Sequence, residues 1–111
     1  MQRFVRAVRS SALAPGSALR VVLDGHEVAL FRTADGGTYA IEDRCPHQYA
    51  PLSEGQLTGT VVRCRLHGWS LDVRTGRPPV GQWPCVRAYP VRIEQDWVLV
   101  GLGPAPDAGG G

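Results

Sequence analysis

The chain contains no lysine: all twelve of its basic residues are arginines, set against ten acidic residues for a formal charge of +2. They are scattered, at positions such as Arg3, Arg20, Arg32, Arg74 and Arg92. Nucleic-acid binding would need them clustered and interleaved with stacking aromatics, so that function class is excluded. No apolar run approaches the roughly 18 residues of a membrane span. The start, Met1-Gln2-Arg3-Phe4-Val5-Arg6, is basic but leads into no uninterrupted apolar stretch and no cleavage site. No signal peptide is read there, and the expected compartment is the cytoplasm. Cysteine is scarce and odd in number, and three do not make a secreted disulfide framework. Helical periodicity beyond a turn or two is missing, as is any internal repeat.

What remains is turn-rich and β-rich. A length of 111 residues suits one domain, and 43% hydrophobic residues suffice for a core, while fourteen glycines and nine prolines imply many turns. Leu19 to Leu23 and His26 to Phe31 flank Asp24-Gly25, a strong hairpin signal because a type I′ turn needs positive φ at both central residues. A second turn at Asp35-Gly36-Gly37 leads into Thr38 to Glu42. Near the other end, Tyr89 to Ile93 and Trp97 to Val100 flank Glu94-Gln95-Asp96, another expected hairpin. Between them, roughly Asp43 to Trp83, lies an insertion. In it Leu52 to Leu57 reads as a turn-rich link, Val61 to Cys64 as a short strand, and Ser70 to Gly76 as a strand running into a glycine turn. The fold expected is all-β and antiparallel, residues 1–102 forming the domain and 103–111 a disordered tail.

The insertion carries two runs, Cys45-Pro46-His47 and Cys64-Arg65-Leu66-His67, separated by sixteen residues. Each offers one soft thiolate and one borderline imidazole. A tetrahedral zinc site could use the same four donors. Structural zinc sites usually pair like ligands, however, whereas each run here is mixed. A [2Fe–2S] cluster with His replacing Cys on one iron needs two of each.

The surroundings extend the pattern: Cys-Pro-His, Leu52-Ser53-Glu54-Gly55, Cys-x-Leu-His-Gly-Trp, then Asp72-Val73-Arg74-Thr75-Gly76. Over about Asp43 to Pro79 the chain resembles the Rieske iron–sulfur family, and most of all its small ferredoxins. The resemblance implies a Rieske-type β-sandwich or barrel with a small cluster-binding subdomain at about residues 43–83. It implies one [2Fe–2S] cluster, with Cys45 and Cys64 on one iron and His47 and His67 on the other. The histidine pair would be the exposed electron port. With neutral imidazoles the oxidised cluster sums to zero charge, against minus two for a four-cysteine cluster, so it accepts an electron more readily. The family range is accordingly about −150 to +300 mV, against about −400 mV for plant-type ferredoxins.

High-potential relatives add a disulfide and two hydroxyl donors near the cluster. The corresponding positions here hold Ala50 and Leu66, and Trp69 and Leu71, so neither is available. Fewer hydrogen bonds to sulfur lower the potential, and a low-potential, ferredoxin-type centre is expected.

Other residues invite simpler readings. Cys85 has no partner once Cys45 and Cys64 bind iron and is expected to be a small core or strand residue. His26 is expected at the surface or in a local bond. Arg44 and Arg65 are either a basic rim for an acidic partner or ordinary solvated side chains. Arg77-Pro78-Pro79 resembles the proline-bearing loop that shields the cluster in relatives, and Trp69 and Trp83 are expected to pack around it.

The function implied is that of an electron-transfer protein, not an enzyme. It would carry one electron from a flavin-containing, NAD(P)H-dependent reductase to a terminal oxygenase. The ring-hydroxylating oxygenases themselves also need a mononuclear iron site, and only His26 is left over to supply it. The alternative is the small subunit of an assimilatory nitrite reductase, with its large subunit as partner. No nucleic-acid or membrane partner is expected, and the state expected is monomeric. The net positive charge departs from the acidic balance of many such ferredoxins.

Overall fold

Asp24 and Gly25 take positive φ of 50° and 81°, closing the hairpin that the sequence announces. The computed structural model describes residues 3–44, 50–65, 70–79 and 85–103. The hairpin joins β2 (Ala18–Leu23) to β3 (His26–Arg32), and β3 pairs in turn with β4 (Thr38–Glu42). A short strand β8 (Ala88–Tyr89) completes this four-stranded antiparallel sheet in the order β2-β3-β4-β8.

The expected strand Tyr89 to Ile93 is split. Pro90 has no N–H for a ladder, and the chain there leaves the first sheet for another. After it, β9 (Val91–Glu94) pairs with β10 (Trp97–Gly101) through a two-residue turn. Gln95 and Asp96 in that turn both have positive φ, 51° and 66°. The turn is thus one residue tighter than the sequence suggested.

Strand β10 also pairs with β1 (Phe4–Arg9), a strand that was not expected. Its register shifts between Arg6 and Val8. That bulge puts the exposed arginines three residues apart and hides the two-residue alternation by which a strand is read.

Side chains on a strand alternate between faces, so the central sheet is apolar on both sides. On one side Val28, Leu30 and Ala40 pack with Leu13, Val98, Val100 and Leu102, joining it to the sheet β1-β10-β9. On the other, Ala29, Phe31 and Ile41 pack with Leu52, Val62, Cys64, Leu71 and Val73. That second core rests under a three-stranded sheet formed by β5 (Gln56–Thr58), β6 (Val61–Arg63) and β7 (Ser70–Asp72). Sheet content is therefore antiparallel throughout, and the only helices among the described residues are single 3-10 turns at Ser10–Ala12 and Leu52–Glu54. The insertion read from the sequence is the third layer. Full burial of side chains such as Phe31, Leu52 and Val62 contributes about 1.5–3 kcal/mol each. The described chain continues through Gly103, whose carbonyl accepts the Arg3 N–H at 3.0 Å; residues 104–111 lie outside the described part.

Candidate metal centre

Strands β6 and β7 set the second ligand loop. Their last ladder pair is Arg63 with Ser70, so the chain leaves the ladder at Cys64 and rejoins it at Ser70. Cys64 is a free thiol, 1% exposed, lying among Val62, Leu71 and Val73. A buried, unpaired soft donor at a strand end is what an iron ligand requires of its scaffold. Leu71, at a position where a hydroxyl would reach a cluster in high-potential relatives, is instead a core side chain.

The first ligand loop leaves β4 and returns at Ala50, which is buried beside Leu52. Arg44 pairs with Glu42 at 3.1 Å and Arg65 with Glu54 at 2.9 Å. Each arginine thus has an acidic neighbour, which favours the solvated reading over a basic rim. Cys45, His47 and His67 lie outside the described residues, as do Leu66, Trp69 and Trp83. Among the described residues no group of three or more potential ligands is arranged to hold a metal ion, and Cys64 alone represents the expected four. Its burial, free sulfur and place at the loop base fit the two-thiolate, two-imidazole set.

Below the second loop, Asp72 organises the turn into Gly76. Its carboxylate accepts from the Arg74 backbone N–H at 2.9 Å and from Arg74 Nη2 at 2.8 Å, while its carbonyl accepts from Gly76 N–H at 2.7 Å. The Arg74 guanidinium holds the Asp72 carboxyl below its usual value of 3.8. A depressed carboxyl stabilises the fold above its unfolded value, and that contribution is lost as pH falls through the lowered folded value. We expect Asp72→Asn to lower the melting temperature at pH 7. The gap between variant and wild type should close as pH falls below the carboxylate range; a gap that persists undiminished in acid would assign the effect to packing.

His26 is half-buried, with Nδ1 3.4 Å from the Tyr89 hydroxyl and the two rings edge to face, a contact made across the sheet and not within its own hairpin. Cys85 is neither core nor strand: it is exposed, outside any element. The neighbouring Val86 takes the core position, its N–H donating to Gly76 O at 2.8 Å, which turns Cys85 outward. Arg77 forms a bridge with Asp72 across the glycine turn and is followed by Pro78 and Pro79, after which residues 80–84 lie outside the described part. One residue escaped sequence reasoning: Asp43, a buried acid at the end of a strand and two residues before Cys45.

Residues 3–93 match the Rieske [2Fe–2S] domain. The chain belongs to this family. Its cofactor is accordingly a [2Fe–2S] cluster. The Rieske chain is 43% identical over 103 residues to the biphenyl dioxygenase ferredoxin subunit of Pseudomonas sp. strain KKS102, covering 87% of this chain and 90% of that one. It superposes with a TM-score of 0.79, at 32% identity, on a chain from the complex of reduced oxygenase and oxidised ferredoxin in carbazole 1,9a-dioxygenase, covering 94% of this chain and 97% of that one. A nitrite reductase small subunit structure from Mycobacterium tuberculosis gives a TM-score of 0.87 at 25% identity, with coverages of 95% and 99%. Against the 4beta-methylsterol monooxygenase of Methylococcus capsulatus the identity is 36% over 110 residues, and the chain spans only 28% of that protein. No helix of the described residues is long and apolar enough to cross a membrane.

Proposed function

We propose that this Rieske chain is a low-potential one-electron carrier. It takes electrons from a flavin-containing, NAD(P)H-dependent reductase and delivers them to a terminal oxygenase, acting as a monomer in the cytoplasm. The observation that carries this reading is the match to a dioxygenase ferredoxin subunit along nearly the whole of that subunit. The structural neighbour taken from an oxygenase–ferredoxin complex supports the same partner class. Cys45, His47, Cys64 and His67 would hold the cluster, which when bound supplies a one-electron couple.

The protein's own part is positional. Strands β6 and β7 present Cys64 from a rigid ladder, so little rearrangement accompanies a change of charge. The apolar layer of Val62, Leu71 and Val73 keeps water from the sulfur side. With Leu71 in place of a hydroxyl donor, one hydrogen bond that would favour the reduced form is missing.

The reading is tested on purified protein. A rhombic electron paramagnetic resonance (EPR) signal after reduction, and reduction by NADH through a flavin reductase, are the expected results. Voltammetry should place the midpoint toward the bottom of the family range of about −150 to +300 mV; a value near its top would remove the low-potential reading. The similarity to a nitrite reductase small subunit favours a second reading. Tight co-purification with a sirohaem subunit would select it.

A further inference from the structure

The two ligand loops are closed in different ways. The second is closed by backbone, since Arg63 and Ser70 at its base are ladder partners. Among the described residues the first has no such rung: β4 ends at Glu42, and beyond the loop the chain enters the 3-10 turn Leu52–Glu54 and then β5, which pairs with β6 and not with β4. Leu52 anchors that turn by apolar burial, but burial is non-directional.

A side chain supplies the missing rung. Asp43, 1% exposed, accepts from the Ser53 backbone N–H at 2.7 Å through Oδ1 and from the Ser53 hydroxyl at 2.7 Å through Oδ2. Arg20 Nη1 on β2 donates to the same Oδ2 at 3.1 Å, and the Asp43 N–H donates to Glu27 O on β3 at 2.9 Å. The buried carboxylate therefore ties both ends of the loop to each other and to β2, while the Asp43 backbone N–H ties the same end to β3. Charge-assisted bonds of this kind are short, strong and directional.

We propose that Asp43 is a positioning residue for the ligand pair Cys45 and His47, and that its charge helps to hold the centre's potential low. The proposal rests on the ligand assignment given above. Arg20 does not cancel the charge, because it is shared with Glu27 at 3.0 Å, two carboxylates to one guanidinium. An electron added nearby enters against the surplus negative charge. Loss of the carboxylate frees the base of the loop and removes that opposition.

The experiment compares Asp43→Asn, Ser53→Ala and a control, Thr33→Ala, with wild type. Thr33 is also buried and also organises a turn, accepting the Gly37 N–H at 3.0 Å, but at the opposite end of β4. Asp43→Asn should move the EPR g-values, shift the midpoint positive and speed cluster loss to a chelator about 10-fold. Ser53→Ala keeps the charge and should move the g-values without that positive shift, and Ser53→Thr should restore them. Thr33→Ala should lower the melting temperature and leave spectrum and midpoint unchanged. Wild-type spectrum and midpoint in a folded Asp43→Asn protein would reduce Asp43 to a structural residue and overturn the proposal. If Asp43→Asn does not fold, Ser53→Ala decides: moved g-values support the proposal and unmoved ones overturn it. A wild-type protein without a Rieske signal would overturn the ligand assignment and this proposal together.

Discussion

Cys64→Ser is expected to give a protein without cluster absorbance and without a reduced-state EPR signal. A serine hydroxyl stays protonated at neutral pH and presents a hard oxygen where the cluster takes a soft thiolate. The substitution is nearly isosteric, so the surrounding core of Val62, Leu71 and Val73 has no reason to rearrange. It does place a polar group in an apolar setting, where an unbonded hydroxyl costs about 1–3 kcal/mol. A larger loss follows from the missing cluster, which with the proposed ligands would join the two loops and contribute to folding wherever ligation and folding are coupled. The melting temperature should therefore fall well below that of wild type. Cys85→Ser is the matched control: the same chemical change at an exposed thiol outside any element. It should retain full iron content, spectrum and stability. Retention of iron and signal by Cys64→Ser, or their loss in Cys85→Ser, would reverse the assignment of the two cysteines.

The contrast between those cysteines separates what is local in a sequence from what tertiary packing decides. Cys64 is proposed as a ligand from local chemistry: a Cys and a His two or three residues apart within a short run, found twice, admit few uses. The hairpin at Asp24-Gly25 was legible for a similar reason, since positive φ at adjacent positions selects few residue types. Strand β1 was not, because the bulge between Arg6 and Val8 breaks the alternation that reveals a strand. Pro90 marked a break whose consequence, a change of sheet, depends on tertiary packing. Cys85 was misplaced because one residue of phase decides which side chain faces the core, and Val86 holds that phase through Gly76. Asp43 was invisible for a deeper reason. Its partners Arg20 and Ser53 are 23 and 10 residues away along the chain, and nothing local brings them together.

Gly76→Ala is expected to be among the most damaging single substitutions outside the ligands. Gly76 has φ +75°, and a Cβ there would lie 2.2 Å from the Val86 carbonyl oxygen. The left-handed backbone alone costs a non-glycine residue about 1–2 kcal/mol. The overlap adds about 1–3 kcal/mol, because backbone meets backbone and neither side can swing away. Relief would break the Val86 N–H bond to Gly76 O, which closes the turn below the second ligand loop. Gly25 separates the two contributions, with φ +81° but nothing within 4 Å of its would-be Cβ. At about 4–8 °C per kcal/mol for a domain near this size, Gly25→Ala should lower the melting temperature by only the backbone part, and Gly76→Ala by about twice as much or more. Gly55 isolates the overlap: its backbone is ordinary, but a Cβ would lie 2.3 Å from the Arg63 carbonyl oxygen. Arg63 directly precedes Cys64, so Gly55→Ala should disturb the EPR spectrum even where its thermal effect is smaller than that of Gly76→Ala. Equal melting temperatures for Gly25→Ala and Gly76→Ala would show that the turn at Gly76 yields freely, and that its closeness to Val86 does not hold the loop above it.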